Sequence, residues 1–71
     1  MHEIDWEKVF TYQPATEDTI PKYNAIREQA KVFVQTILDN APGCADRSAA
    51  IRKVREAVMT ANAAIALDGE V

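Results

Sequence analysis

Cysteine and histidine occur once each in this chain, at Cys44 and His2. A lone cysteine excludes an intrachain disulfide, and the pair falls short of the roughly four nitrogen or sulfur ligands a zinc site takes. No Cys/His or Ser/His dyad worth the name can be assembled, because His2 sits at a terminus, where chains tend to fray. Glycine is confined to Gly43 and Gly69, so no glycine-rich loop is present to cradle phosphates with backbone N–H groups. The 11 carboxylates are scattered, without a pair at helical spacing suited to acid/base work. The longest uninterrupted apolar run, Ala63 to Leu67, is far below the roughly 20 residues that span a bilayer. These absences predict a protein that is not an enzyme, holds no metal or cofactor and does not enter membranes.

Basic charge is scarce as well. Eight Lys and Arg against 11 Asp and Glu give a net charge of −3. A duplex nucleic-acid binder needs a broad basic face, which this balance argues against. A small anionic ligand stays open, since a pocket needs only a few well-placed cations. The opening run from Met1 to Glu7 is acidic, where a secretory signal would be basic and then apolar. The expectation is a soluble protein of a reducing cytoplasm.

What is present is alanine and helical periodicity. Apolar residues make up 48% of the 71, but 12 of them are alanine, which leaves a modest supply of large side chains for a core. One short domain spanning 1–71 is expected, and domains this small are commonly stabilised by staples or by association. With staples excluded, more than one copy is expected.

Three segments can be read. A short helix over about 5–10 has Asp5 as its N-cap and gives way to a turn-prone aromatic stretch from Phe10 to Asp18. A second helix is predicted over about 19–40, with Asp18 as N-cap and Pro21 tolerated in the first turn. Tyr23, Ile26, Ala30, Phe33, Ile37 and Ala41 recur at steps of three and four, widened by Val34 and Leu38, which is the pattern of an amphipathic helix. Asn40, Pro42 and Gly43 end it. A third helix is predicted over about 47–67, with Asp46 or Ser48 as N-cap and Gly69 just past its end. Ile51, Val54, Val58, Ala61 and Ile65 form its apolar stripe.

Two helices of roughly 20 residues joined by a connection of about six predict an antiparallel hairpin. Ala50, Ala57 and Ala64 repeat every seven residues, and such a small-residue stripe lets another helix approach closely. A hairpin cannot cover both faces of its own helices, so the alanine-rich face of the third helix is expected to be a self-association surface. The fold class expected is all-α: a short N-terminal helix plus a long antiparallel helical hairpin, assembled into a homo-oligomer.

Lys22, Arg27 and Lys31 lie on the second helix, and Arg27 and Lys31 are four apart, hence on one face. A cyclic dinucleotide carries two phosphodiester charges and two flat bases. It calls for cations on the phosphates and rings or guanidinium planes on the bases, and Phe10, Tyr12 and Tyr23 are available rings. The same residues also fit a solvated basic face and ordinary core aromatics. Arg47, Arg52, Lys53 and Arg55 cluster near the start of the third helix, where cations oppose the macrodipole; this fits an anionic partner, such as an acid on another subunit, or an ordinary solvated face. Asn62, set among Ala61, Ala63 and Ala64, fits a bridge between helices or a contact with a base edge.

Phe10-x-Tyr12-Gln13-Pro14, followed by a charged spacer and then Arg27 and Lys31, resembles the N-terminal part of the anti-CBASS cyclic-oligonucleotide sponges. Phages use these small proteins against bacterial cyclic-nucleotide defence. The run from Ser48 through Ala61-Asn62-Ala63-Ala64-Ile65-Ala66 is similar to that family's C-terminal helix. The resemblance covers about residues 7 to 67. It implies a homohexamer in the cytoplasm of an infected bacterial host. Cyclic dinucleotides would be held uncleaved between pairs of protomers, and in some members cyclic trinucleotides occupy separate threefold sites. Carried over, it implies that Tyr12 stacks on a base, that Arg27 and Lys31 meet phosphates or base edges, and that Gln13 and Pro14 line the same pocket; Phe10 and Lys22 join the candidate ligand-binding residues as a ring and a cation read from the sequence. Gln13 stands where the family pattern has histidine, and Thr60 where a large aromatic often precedes the Ala-Asn-Ala run. No basic residue follows Ala66, which weakens any threefold site.

Two other readings compete with sequestration. A protein-interaction module would dock its alanine-rich third helix on a host factor. A helix-turn-helix repressor ranks last, because the charge is acidic and no short recognition helix follows a short first one.

Overall fold

A computed structural model describes residues 3–69 and contains three helices: α1 (Trp6–Val9), α2 (Ile20–Asn40) and α3 (Ala45–Ala66). Among the described residues there is no strand. α2 and α3 pack against each other as the hairpin, and α1 leads into the irregular stretch that precedes α2.

The helix starts differ from the sequence expectation in instructive ways. Asp5 does cap α1, its carboxylate accepting from the Lys8 N–H at 3.2 Å. At α2, however, the cap position falls to Thr19 and not to Asp18. Thr16 and Thr19 act reciprocally: the Thr16 N–H donates to the Thr19 hydroxyl at 2.8 Å, and the Thr19 N–H donates to the Thr16 hydroxyl at 3.3 Å. The pair closes the turn that precedes α2, in the manner of a capping box with Thr16 in the cap position and Thr19 in the place of the usual glutamate, and the Thr19 side chain makes no bond to the N–H groups of α2. At α3 the cap position belongs to Cys44, whose backbone is extended and whose side chain makes no cap bond. Asp46 and Ser48 both lie inside the helix, and Asp46 serves the positive end of the dipole from its first turn.

The end of α3 is a Schellman motif. The Asp68 N–H donates to the Ile65 carbonyl at 3.2 Å and the Gly69 N–H to the Ala64 carbonyl at 3.0 Å. The left-handed residue that opens this motif is Asp68, at φ +50, and not the expected glycine; Gly69 follows at φ +75. Between the long helices, the half-buried Arg47 donates through Nη1 to the Ala41 carbonyl at 3.3 Å. Its guanidinium lies against Gly43, where a Cβ would come within 3.3 Å of Nη2. Arg47 thus ties the end of α2 to the start of α3, a role within the turn.

One stripe per helix is half-buried at the hairpin seam: Tyr23, Ile26, Ala30, Val34 and Ile37 on α2, and Ile51, Val54, Val58 and Ile65 on α3. Phe33 and Leu38, expected in the core stripe, are 57% and 40% exposed. Leu67, at 6% exposure, is the one buried apolar residue among those described. The chain exposes 5736 Å², whereas a compact monomer of 7.9 kDa exposes about 4,400 Å². Its radius of gyration is 15.1 Å, against about 11 Å for a globule of this length. The hairpin alone builds almost no closed core.

Candidate ligand-binding site

Sequence-local forces set up the site. Thr11 and Gln13 fold the stretch after α1 back on itself. The Thr11 hydroxyl donates to the Glu7 carbonyl at 2.6 Å, and the half-buried Gln13 amide donates to the Lys8 and Thr11 carbonyls at 3.3 and 3.2 Å. This loop carries Tyr12 across the end of the hairpin where α2 begins and α3 finishes.

There the three segments border a shallow, widely open cavity of about 480 Å³. Tyr12, Gln13 and Ala15 line it from the loop, Tyr23 and Arg27 from α2, and Met59, Asn62, Ala63 and Ala66 from α3. Its size falls within the roughly 300–1,000 Å³ usual for small-molecule sites. Tyr12 is 83% exposed, so its ring forms a lip and not a packed wall. Arg27 is exposed and has no acidic partner among the described residues. An unneutralised guanidinium beside two phenol rings offers a charged fork and flat stacking surfaces in one place, a combination suited to phosphates and bases.

Asn62 adds a polar residue to the α3 side of the cavity. Its Oδ1 is buried and has no hydrogen-bond partner. An orphaned acceptor of this kind costs about 1–3 kcal/mol, so its place in a helix face otherwise made of methionine and alanine needs a reason. A bridge between α2 and α3 is not that reason, because the oxygen finds no donor on either helix.

The residues singled out from the sequence divide into two groups. Tyr12, Gln13 and Arg27 come together at the cavity. Phe10, Pro14, Lys22 and Lys31 do not line it. Phe10 is 84% exposed and stacks on Trp6, with ring centroids 6.3 Å apart and planes inclined by 22°. Lys31 is held by Glu28 at 3.1 Å on the exposed surface of α2. Gln13 has already committed its amide nitrogen to the loop, so its main effect is to hold Tyr12 in position. The α3 wall was missed as a set. Its signal was present, since Met59, Asn62, Ala63 and Ala66 fall at the i, i+3, i+4, i+7 positions of one helical face.

Two apolar grooves run along the hairpin away from this cavity. One is lined by Phe33, Ile37, Ala50, Lys53, Val54 and Ala57. The other shares Phe33, Val54 and Ala57 and continues to Ile26, Val58 and Ala61. Of the alanine stripe, Ala57 and Ala64 are exposed. No group of His, Cys, Asp and Glu able to hold a metal ion occurs among the described residues, and no helix there is long and apolar enough to cross a membrane.

The helical hairpin gathers two phenol rings and the Arg27 guanidinium at its open end. The family model for the Acb2/Tad1 hairpin domain matches residues 2–66, and the chain belongs to that family, the anti-CBASS cyclic-oligonucleotide sponges. Its role at the family level is sequestration of cyclic nucleotides rather than catalysis. No individual curated protein and no solved structure gives a significant match.

Proposed function

We propose that this protein captures cyclic dinucleotides in cavities completed by a second copy, and holds them intact so that they do not reach their effector. The observation that carries the proposal is the convergence on one open cavity of Tyr12 and of Arg27, which has no acidic partner among the described residues. One chain supplies a single guanidinium there, whereas the ligand carries two phosphodiester charges. Two copies related by a twofold axis would present two Arg27 side chains and two Tyr12 rings, matching the ligand's own near-twofold symmetry. Phe10, Pro14, Lys22 and Lys31, which are all exposed, remain accessible to a second copy in such an assembly.

Self-association is supported by area. The chain exposes about 1,300 Å² more than a compact monomer of its mass, comparable to the roughly 800 Å² per partner of a standard interface. The grooves at Phe33 and Ala57 are where that surface is apolar. In this reading the assembly is the family's hexamer, the protein is phage-encoded, and it acts in the cytoplasm of an infected bacterium. Cyclic trinucleotides at a separate threefold site are a weaker part of the proposal, because Leu67, Asp68 and Gly69 after α3 bring no cation.

Isothermal titration against a panel of cyclic di- and trinucleotides tests the reading, with native mass spectrometry reporting subunit number and bound mass. Binding of a cyclic dinucleotide with its mass unchanged is the expected result. Failure of every panel member to bind below about 10 µM, roughly −7 kcal/mol, rejects it. Capture of a host protein together with indifference to nucleotides would favour the interaction-module reading.

A further inference from the structure

We infer that Asn62 reads a base in the cavity, its Oδ1 accepting from a base N–H such as the adenine N6 amino group. The inference rests on the proposed nucleotide-binding function and names what that site recognises. Three observations carry it: Asn62 lines the cavity, its Oδ1 is buried without a donor, and it stands on a helix face whose other cavity-facing residues, Met59, Ala63 and Ala66, are apolar. Tyr12 offers a stacking face, which does not distinguish one base from another, and Arg27 a guanidinium suited to a phosphate or to the O6/N7 acceptor pair of guanine. The amide is therefore the one group on the α3 wall able to read a hydrogen-bonding edge.

A carboxamide presents an acceptor and a donor side by side, so its complement is an edge with an N–H next to an acceptor. Adenine shows that pattern twice, as N6–H beside N7 and as N6–H beside N1. Guanine shows two adjacent acceptors at O6 and N7, which an asparagine cannot satisfy together, but its N1–H beside O6 and its N2–H beside N3 both match, so the amide reads a donor-bearing edge without singling out one base. The Cβ–Cγ torsion of asparagine is broad, and a partial turn about it brings the oxygen from the apolar wall to the cavity, where the base N6–H becomes the missing donor.

The test compares cyclic diadenylate with its analogue carrying hydrogen in place of each N6 amino group, titrated into the wild-type protein and into Asn62→Leu. Wild type is expected to bind cyclic diadenylate about tenfold more tightly or better, the effect of one well-made hydrogen bond to a buried acceptor. Asn62→Leu is expected to bind both ligands equally, at the analogue's affinity, with the native assembly mass and a melting temperature no lower than wild type. Retention of the N6 preference in Asn62→Leu overturns the inference, as does loss of assembly in that variant. A second readout does not depend on the variant: the Asn62 side-chain NH2 resonances of wild type should shift with cyclic diadenylate and much less with the analogue. Equal wild-type affinity for both ligands removes the Asn62 assignment alone, whereas failure to bind either removes the nucleotide-capture reading along with it.

Discussion

The Lys31 ammonium lies 3.1 Å from the Glu28 carboxylate on the solvent side of α2, one turn beyond Arg27, which lines the cavity without an acidic partner among the described residues. Two cations that share a helix face by spacing are thereby given different work. Replacement of Arg27 by alanine removes a charge-assisted contact worth about 1.5–3 kcal/mol, so titration should show affinity for a cyclic dinucleotide falling by ten- to a hundredfold. Lys31→Ala releases an exposed pair worth little, and its affinity should change less than about threefold. A larger loss in Lys31→Ala than in Arg27→Ala would reverse the assignment.

Tyr12 stands 83% exposed at the cavity lip, where a ring contributes little to folding and much to a stacked base. Tyr12→Ala is expected to lose on the order of 1–3 kcal/mol of ligand affinity with assembly mass unchanged. Tyr12→Phe keeps the ring, and no intrachain partner holds the hydroxyl among the described residues. It should therefore bind within about twofold of wild type, the ring being what stacks.

Phe33 and Ala57 border both apolar grooves, and Phe33 is 57% exposed. A carboxylate placed in a docked helix face is costly to desolvate. Ala57→Glu should reduce the mass measured by sedimentation at micromolar concentration, and wild-type melting temperature should rise with protein concentration. A wild-type monomer at micromolar concentration would contradict the proposed assembly.

Asp68 occupies the left-handed position of the α3 terminus at φ +50, and its negative charge lies at the negative end of the helix dipole. Asp68→Gly relieves both effects and should stabilise the protein by about 0.5–1 kcal/mol, read as a higher midpoint in urea. The mutation lies outside the cavity lining, and ligand affinity should be unaffected.

The turn between the long helices makes a further measurable contribution. Arg47→Ala removes the bond to the Ala41 carbonyl and the cover over Gly43. Urea unfolding should show a loss of about 1 kcal/mol, with ligand affinity in the folded protein unchanged.

The sequence by itself determined the helices, because their causes are local. The three- and four-residue recurrence from Tyr23 to Ile37 and from Ile51 to Ile65 requires only that one face of each helix be apolar, and Pro42-Gly43 can only interrupt them. It also determined that Tyr12 and Arg27 were worth watching. The caps were less legible: Thr16 and Thr19 bond reciprocally in the turn before α2, and the cap position moves past Asp18 to Thr19. Only the tertiary structure decided how each helix is rotated toward the other. That azimuth sends Val34 to the seam and leaves Phe33 half-open, and it leaves Lys31 to Glu28 while Arg27 faces the cavity. It also brings Asn62, distant in sequence from Tyr12, to the same cavity. Spacing along one helix fixes which residues share a face, but the face that meets a neighbour is chosen by packing among segments far apart in the chain.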